Sequence, residues 1–381
     1  MKIQIPEYVN QVLAALARAG WEGYIVGGCV RDICLSRIPS DWDVCTPARP
    51  QQIKEALKGF RTIDTGIQHG TVTALSDGKP VEITACRVDG NYSDGRHPDS
   101  VTFTDDVTED LARRDFTINA MAYSEARGLV DPFGGRADLA AGIIRCVGDP
   151  AQRFTEDALR IMRALRFASV LGFAIEEETE RAVRELAGTV RRVATERIQV
   201  ELSKLLTGSY VNRILTAYRE TISACIGQNL PAVTDLERLP DALPVRLAAL
   251  QPLDLKALKY DNKTIALAYG IAEAAASMQD AEPCRRELLL LLRDLGQDAV
   301  RGGLALRGYD DRLLSEILES GACYSLRQLA VSGRDLTGLS GPEIGETLQA
   351  LLLAVILGLV PNERDALLSY VKTIRNGSSV I

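Results

Sequence analysis

The sequence predicts an α+β front followed by a long all-α rear, and three observations carry that division. Short β-rich runs separated by Gly, Asp and Pro crowd the segment from Tyr24 to Cys86. From about Asp149 onward apolar residues recur at helical spacing almost to the end. The 381-residue length allows two or three domains and ample core. With 46% hydrophobic and 25% charged residues the chain is not disordered, collagenous or a small disulfide scaffold. Aromatics are only 5%, so its cores are built mostly from Leu, Ala, Val and Ile. A net charge of −7 excludes a protein coated in basic charge but leaves room for a local basic stripe that meets nucleic acid.

In chain order, residues 1–20 read as a helix with Val9, Val12, Leu13 and Leu16 on one face. Strands follow at Tyr24–Val26, Trp42–Cys45, Gly70–Leu75 and Val81–Cys86, with a helix around Pro50–Leu57. Asp89–Ser100 is polar and turn-rich, hence a loop. Softer boundaries fall near Thr207–Ser209 and Cys323–Leu326, and there is no internal repeat. The longest apolar run, Ala350–Val360, is far short of the roughly 20 residues a membrane helix needs, so it reads as a buried helix and no membrane partner is expected. The opening MKIQIPEYV has no leader pattern, and the eight cysteines lack a CxxC pair, so reduced thiols in the cytoplasm are expected. Only His69 and His97 are present, so any metal is expected on carboxylates.

The chemistry starts with Gly27-Gly28-Cys29-Val30-Arg31-Asp32 after a strand, and Asp41-Trp42-Asp43 opening the next. Residues i and i+2 of a strand share a face, so Asp41 and Asp43 aim two carboxylates at one point. They repel until cations intervene, and hard cations such as Mg²⁺ share carboxylate oxygens with substrate phosphates. Gly28 lets backbone amides approach a triphosphate, and Arg31 adds charge. Taken alone, a DxD is more often a solvated turn; the glycines and arginine upstream shift it toward a nucleotide site. Glu82, on the strand Val81–Thr84, is as readily a structural ion-pair partner as a third acidic group of that site.

Arg113-Arg114 is either a surface charge pair or a grip on phosphate or sugar. Asp131–Gly135 (DPFGG) reads as a structural connection. Placed on a single helix, Glu156–Gly172 gathers Ala158, Ile161, Met162, Leu165, Ala168, Ser169 and Gly172 into one apolar stripe with Asp157 at its edge, and Gly172 ends the helix. Arg160, Arg163 and Arg166 step across the opposite side without the Glu–Lys mixture of a solvated helix, as if to grip something planar or anionic. Asp157 and Arg160 together offer an acceptor and a donor fork suited to a base edge. Arg181, Arg184, Arg191, Arg192, Arg197 and Lys204 make a local basic stretch, either a charged helix face or a nucleic-acid surface.

Together these motifs resemble the class II tRNA nucleotidyltransferase and poly(A) polymerase family, in particular its bacterial CCA-adding members. The resemblance rests on GGCVRD (Gly27–Asp32) with DWD (Asp41–Asp43), RRDFTINAMAY (Arg113–Tyr123), DPFGG, EDALRIMRALRFA (Glu156–Ala168) and ERIQVELSKLL (Glu196–Leu206). It is strong over residues 20–206, fades over 207–325 and returns weakly at SGRDL (Ser332–Leu336) and GPEIG (Gly341–Gly345). It implies a catalytic head on a mixed, polymerase-β-like nucleotidyltransferase sheet (1–143), then an all-α neck for base recognition (144–206), body (207–325) and tRNA-binding tail (326–381). It implies that Asp41 and Asp43 are catalytic and bind Mg²⁺, that Gly28, Arg31 and Arg114 seat the nucleotide, and that Asp157 and Arg160 select CTP and then ATP. Arg163 and Arg166 match further nucleotide contacts, and the Asp89–Ser100 loop matches one that helps switch from C to A. The partners implied are CTP, ATP and the tRNA acceptor arm, with monomer and homodimer both open. Ala85-Cys86 departs from the Thr-Phe common in the family, which reads as a packing change. Rival readings of the same head are a poly(A) polymerase or an A-only or CC-only enzyme. From another class, the rival is an RNA-binding protein without catalysis.

Overall fold

The β-rich front is built on a seven-stranded mixed sheet in a computed structural model that describes residues 3–63, 70–90, 100–232, 235–278 and 281–375. Residues 91–99 of the Asp89–Ser100 loop, His69 and His97 lie outside the described residues. The chain divides into two compact units, Met1–Ala232 and Val233–Ile381.

Helix α1 (Glu7–Arg18) opens the first unit and buries Val9, Val12, Ala15 and Leu16. Ala15 takes the core position that the sequence assigned to Leu13, which is only half-buried. The strands and helices that follow are β1 (Tyr24–Val26), α2 (Gly28–Cys34), β2 (Asp43–Thr46), α3 (Pro50–Ala56), β3 (Arg61–Ile63), β4 (Thr71–Ser76) and β5 (Lys79–Ala85). Then come β6 (Arg87–Asp89), β7 (Val101–Phe103), α4 (Val107–Ala112), β8 (Ala122–Ser124), β9 (Gly128–Val130) and α5 (Gly135–Ala141). Seven of these strands make a sheet in the order β3-β4-β5-β2-β1-β8-β9, while β6 and β7 pair separately. Only the β2–β5 pairing in that sheet is parallel, and its register sets Asp43 opposite Glu82. β1 and β2 are central strands, which explains the full burial of Tyr24, Ile25 and Val26. β4 instead alternates half-buried and buried residues, as a strand with one covered face does. Asp131 caps α5: its Oδ1 accepts from Gly135 N at 2.6 Å and its Oδ2 from Arg136 N at 2.9 Å, so DPFGG is the structural connection expected of it.

The rest of the unit is helical apart from a short parallel pair, β10 (Ile143–Ile144) with β11 (Ala174–Ile175). Its helices are α6 (Pro150–Glu156), α7 (Leu159–Leu171), α8 (Glu177–Leu186), α9 (Thr195–Leu206) and α10 (Val211–Ile226). The single helix expected over Glu156–Gly172 is in fact two. Asp157 has extended backbone (φ −143°, ψ 101°), ending α6 and leading into α7. Gly172 does end α7, in the left-handed conformation at φ 77°. Six residues of the predicted stripe are buried and the seventh, Gly172, is half-buried, but Leu159, Ala164, Phe167 and Leu171 are buried as well, so α7 is covered on more than one side.

The second unit consists of α11 (Leu243–Ala249), α12 (Asn262–Ser277), α13 (Arg285–Leu295), α14 (Gln297–Arg307), α15 (Arg312–Glu319), α16 (Gly341–Ile356) and α17 (Arg364–Arg375) with short 3₁₀ turns. Helices α12 and α14 meet closely because Gly302 has no side chain: a Cβ there would lie 2.6 Å from Ile271 Cγ1. The Ala350–Val360 run falls largely in α16, where Leu351, Leu352, Ala354 and Ile356 join the core. No helix among the described residues is long and apolar enough to cross a membrane. All eight cysteines are free thiols. Ala85 and Cys86 are fully buried, and the Cys86 thiol lies 3.4 Å from Cys45 Sγ, a packing arrangement like that read from the sequence.

Candidate active site

Strand β2 begins at Asp43, so Asp41 sits on the segment leading into it rather than within it. The two acids still face the same way, because the Trp42 between them is buried and both aspartates are exposed. Asp41 accepts a hydrogen bond from Ser40 Oγ at 3.0 Å. The Asp43 carboxyl is raised above the usual carboxylate range by desolvation first, then by Glu82, with Asp41 adding to the effect and Arg114 opposing it. Glu82, left aside in the sequence reading, is therefore part of the same acidic field. Arg114, the cation that Asp43 feels, is itself committed to Asp110 at 3.2 Å.

An exposed set of hard oxygen donors that repel one another fits a divalent cation. Among the described residues no closed group of three or more His, Cys, Asp or Glu stands ready to hold a metal. An open carboxylate pair agrees with Mg²⁺, which keeps water and substrate phosphate oxygens in its coordination sphere rather than an all-protein cage.

Gly27, at φ 74°, turns the chain from β1 into α2, and a Cβ there would lie 2.9 Å from Arg114 Nη1. Its absence lets the guanidinium pass close to the backbone. Gly28 is the first residue of α2 and Arg31 lies one turn on. Arg31 pairs with Asp32 at 2.7 Å and donates from Nη1 to Asn119 Oδ1 at 2.9 Å. Neither Arg113 nor Arg114 belongs to a solvated surface pair. Both bind Asp110, which is fully buried, and although burial raises the Asp110 carboxyl, the two arginines bring it below its ordinary value. Burial lowers Arg114 in turn, and Asp110 more than offsets this.

The arginines of α7 also differ from a solvent-facing row. Arg160 Nη1 donates to Glu156 Oε2 at 2.8 Å and Arg153 O at 3.1 Å, and its Nη2 donates to Arg113 O at 3.0 Å. Two of its five N–H groups, on Nε and Nη2, remain without a partner among the described residues. Asp157 does not pair with Arg160: its Oδ1 accepts from Leu159 N at 3.1 Å and its Oδ2 from Arg197 Nη2 at 2.9 Å. Arg197 thus leaves the basic stretch and joins the site; Arg181, Arg184, Arg191, Arg192 and Lys204 stay exposed. Arg163 makes a forked contact with Asp115 Oδ2, at 2.8 Å from Nε and 2.6 Å from Nη2. Arg166 lies 2.8 Å from Glu201 and stacks 3.9 Å from the Phe167 ring centroid. Arg31 and Arg163 approach the same ring at 5.2 and 5.4 Å, so Phe167 gathers three guanidiniums on its π-system. Burial lowers Arg166 to about 10 despite Glu201, and it remains charged at neutral pH.

Asp115 ties these pieces together. It is buried, accepts from Asn119 Nδ2 at 3.1 Å as well as from Arg163, and through Asn119 reaches Arg31. Burial raises its carboxyl, but Arg163 and the Asn119 bond bring it down to about 2. A carboxyl lowered on folding contributes stability that is complete above its unfolded value of 3.8 and is lost as pH falls through about 2. The contribution at neutral pH is roughly 2 kcal/mol. Urea midpoints measured from pH 6 down to pH 2 are expected to fall across that window in the wild type, and less steeply in Asp115→Asn.

Comparison with known proteins finds family-level likeness along most of the chain. The poly A polymerase head domain model matches residues 23–145, the model for an RNA- and SrmB-binding site of polymerase A matches 172–222, and the tRNA nucleotidyltransferase domain 2 model matches 249–371. The third match lies largely where the motifs fade, so the likeness reaches further than the sequence motifs suggested. The CCA-adding enzyme of Levilactobacillus brevis is 39% identical over 396 residues, 96% of this chain and 97% of its own. That of Lactiplantibacillus plantarum is 35% identical over 400 residues, 97% and 96% respectively. The crystal structure of the Bacillus stearothermophilus CCA-adding enzyme in complex with CTP superposes with a TM-score of 0.83 at 32% identity, covering 98% of this chain and all of that one (100%). The Thermotoga maritima CCA-adding enzyme complexed with tRNA shares the fold, with a TM-score of 0.68 at 21% identity over 97% of this chain and 96% of its own.

Proposed function

Because this chain belongs to the class II tRNA nucleotidyltransferase and poly(A) polymerase family, and is a CCA-adding enzyme within it, we propose that its site works through an open carboxylate pair beside an arginine-lined helix. The observation that carries this reading is the run of hydrogen bonds that ties Arg31 on α2 to Arg163 on α7, with Arg114 near enough to Asp43 to act on its charge. Asp43 feels Arg114, Arg114 borders Gly27 ahead of α2, Arg31 on α2 reaches Asp115 through Asn119, and Asp115 holds Arg163 on α7.

Asp41 and Asp43 would hold Mg²⁺. Mg²⁺ held there would supply Lewis-acid chemistry toward the 3′-hydroxyl and the pyrophosphate. Gly28 and Arg31 orient the triphosphate, with Arg114, Arg163 and Arg166 spreading positive charge along it. Their acids hold these guanidiniums in place before substrate arrives, so little reorganisation accompanies the reaction. Arg160, clamped by Glu156 and two carbonyls, presents its two remaining N–H donors, and Asp157 presents its carboxylate as acceptor, to the base edge of CTP and then ATP. The substrates are CTP, ATP and the 3′ end of tRNA. We assign the head to residues 1–143, the neck to 144–206, the body to 207–325 and the tail, with tRNA contacts, to 326–381.

Asp157→Ala tests the base-reading part. The kcat/KM ratio of CTP over UTP is expected to fall about 10- to 100-fold, the worth of one charge-assisted hydrogen bond. Full discrimination in this variant would remove Asp157 from base selection.

A further inference from the structure

The acceptor assigned to the incoming base is seated by a residue outside its own helix. Asp157 lies at the extended junction between α6 and α7, where neither helix's hydrogen-bond ladder fixes its side chain. Two donors do so instead. Leu159 N–H holds Oδ1 at 3.1 Å, and Arg197, forty residues further on (|i−j| = 40), holds Oδ2 at 2.9 Å. Arg197 is the one cation within ion-pair distance of Asp157 among the described residues. Both side chains are largely enclosed, at 27% and 17% exposure, and Arg197 Nη1 is buried without a hydrogen-bond partner among the described residues. A buried donor left unmade is costly, so the guanidinium is held there for its contact with Asp157 rather than for its own hydrogen bonding.

We propose that Arg197 is a specificity-determining positioning residue, resting on the base-reading role of Asp157. Fixing one carboxylate oxygen from each side locks both torsions of a short side chain. A rigid acceptor favours base edges that offer an amino group, those of cytosine and adenine. It disfavours uracil and guanine, whose corresponding edge offers a carbonyl that would face it oxygen to oxygen. Arg197 reaches Oδ2 through one N–H, on Nη2, whose direction the guanidinium plane fixes, where a lysine ammonium supplies a rotatable point charge.

The test compares Arg197→Met, Arg197→Lys, Asp157→Ala and the double variant Arg197→Met/Asp157→Ala on a tRNA transcript lacking CCA, with each of the four nucleotides and thermal melts of every protein. The CTP-over-UTP ratio of kcat/KM is expected to fall at least tenfold in Arg197→Met and to recover in part in Arg197→Lys. Adding Arg197→Met to Asp157→Ala is expected to change the ratio by less than twofold, because Arg197 acts through Asp157. Equal losses with all four nucleotides, or additive losses in the double variant, would overturn the proposal in favour of a purely structural arginine. If Asp157→Ala loses discrimination and both folded Arg197 variants keep it, the positioning role fails and the base-reading role stands. If Asp157→Ala also keeps it, the base-reading role itself fails. Should Arg197→Met not fold, Arg197→Lys decides: wild-type discrimination there, with Asp157→Ala impaired, counts against the need for a fixed guanidinium donor and overturns the proposal.

Discussion

Asp43→Asn is expected to reduce transfer of both CMP and AMP by about 10³-fold or more, beyond the 10²–10³ that a single oxyanion donor is worth. It is also expected to leave the melting temperature, measured in chelator, unchanged or higher. The two halves of this result have one cause. In the folded chain desolvation, Glu82 and Asp41 hold the Asp43 carboxyl above its ordinary value. For an acid, a folded value above the unfolded one means that the ionised form costs stability at neutral pH, a cost that fades as pH falls through the raised value. Asparagine removes that charge and keeps the shape. A functional carboxylate tuned to receive a cation thus loses activity without loss of fold, whereas a structural aspartate would lose both. Equal falls in activity and melting temperature would argue against the metal-binding assignment.

Asp115→Ala is expected to do the reverse at a second place in the same site, weakening the fold and the nucleotide grip together. Removing the carboxylate leaves Arg163 two-thirds enclosed, with Glu201 at 3.5 Å and the more remote Asp157 as counter-charges among the described residues, and frees Asn119 from the Asp115 bond. Breaking a buried pair by deleting one member costs ~3–5 kcal/mol, and the partial exposure of Arg163 places this case near 3 kcal/mol. KM values for CTP and ATP are expected to rise together, because Arg31 and Arg163 serve the triphosphate and not the base. Urea unfolding and steady-state kinetics on the same preparation check both. A variant as stable as the wild type would show that Arg163 finds another partner.

Much of this site was legible in the sequence because its parts are local. Gly27–Asp32 and Asp41–Asp43 are each set within a few residues: a positive-φ glycine leads into α2, and a buried Trp42 leaves an exposed acid on each side of it, though Asp41 precedes the strand expected to hold both. The alternating β4 and the stripe of α7 were visible for the same reason, since periodicity is a property of neighbours. What stayed hidden depends on partners far along the chain. The break at Asp157 is invisible to periodicity, because Ala158, Ile161 and Met162 continue the apolar pattern across it; Arg197 holds the junction from forty residues away (|i−j| = 40). Arg163 read as an exposed member of a basic row until Asp115, 48 positions earlier (|i−j| = 48), paired with it. Glu82 joined the acidic field only through the parallel pairing of β2 with β5, which no local pattern specifies. The strands at Arg61–Ile63, Arg87–Asp89 and Val101–Phe103 are three residues each and mostly polar or half-exposed, too short to give a period.

The most direct measurement of the account is nucleotide-by-nucleotide extension of three tRNA transcripts, ending before CCA, after C and after CC. Each is given CTP, ATP or both with Mg²⁺ and resolved on a denaturing gel. One site that reads cytosine and then adenine through Asp157 and Arg160 predicts two C additions with CTP alone, one A after CC, and then a stop. A ladder of A, a halt at CC with both nucleotides present, or extension that begins only from CC would contradict it.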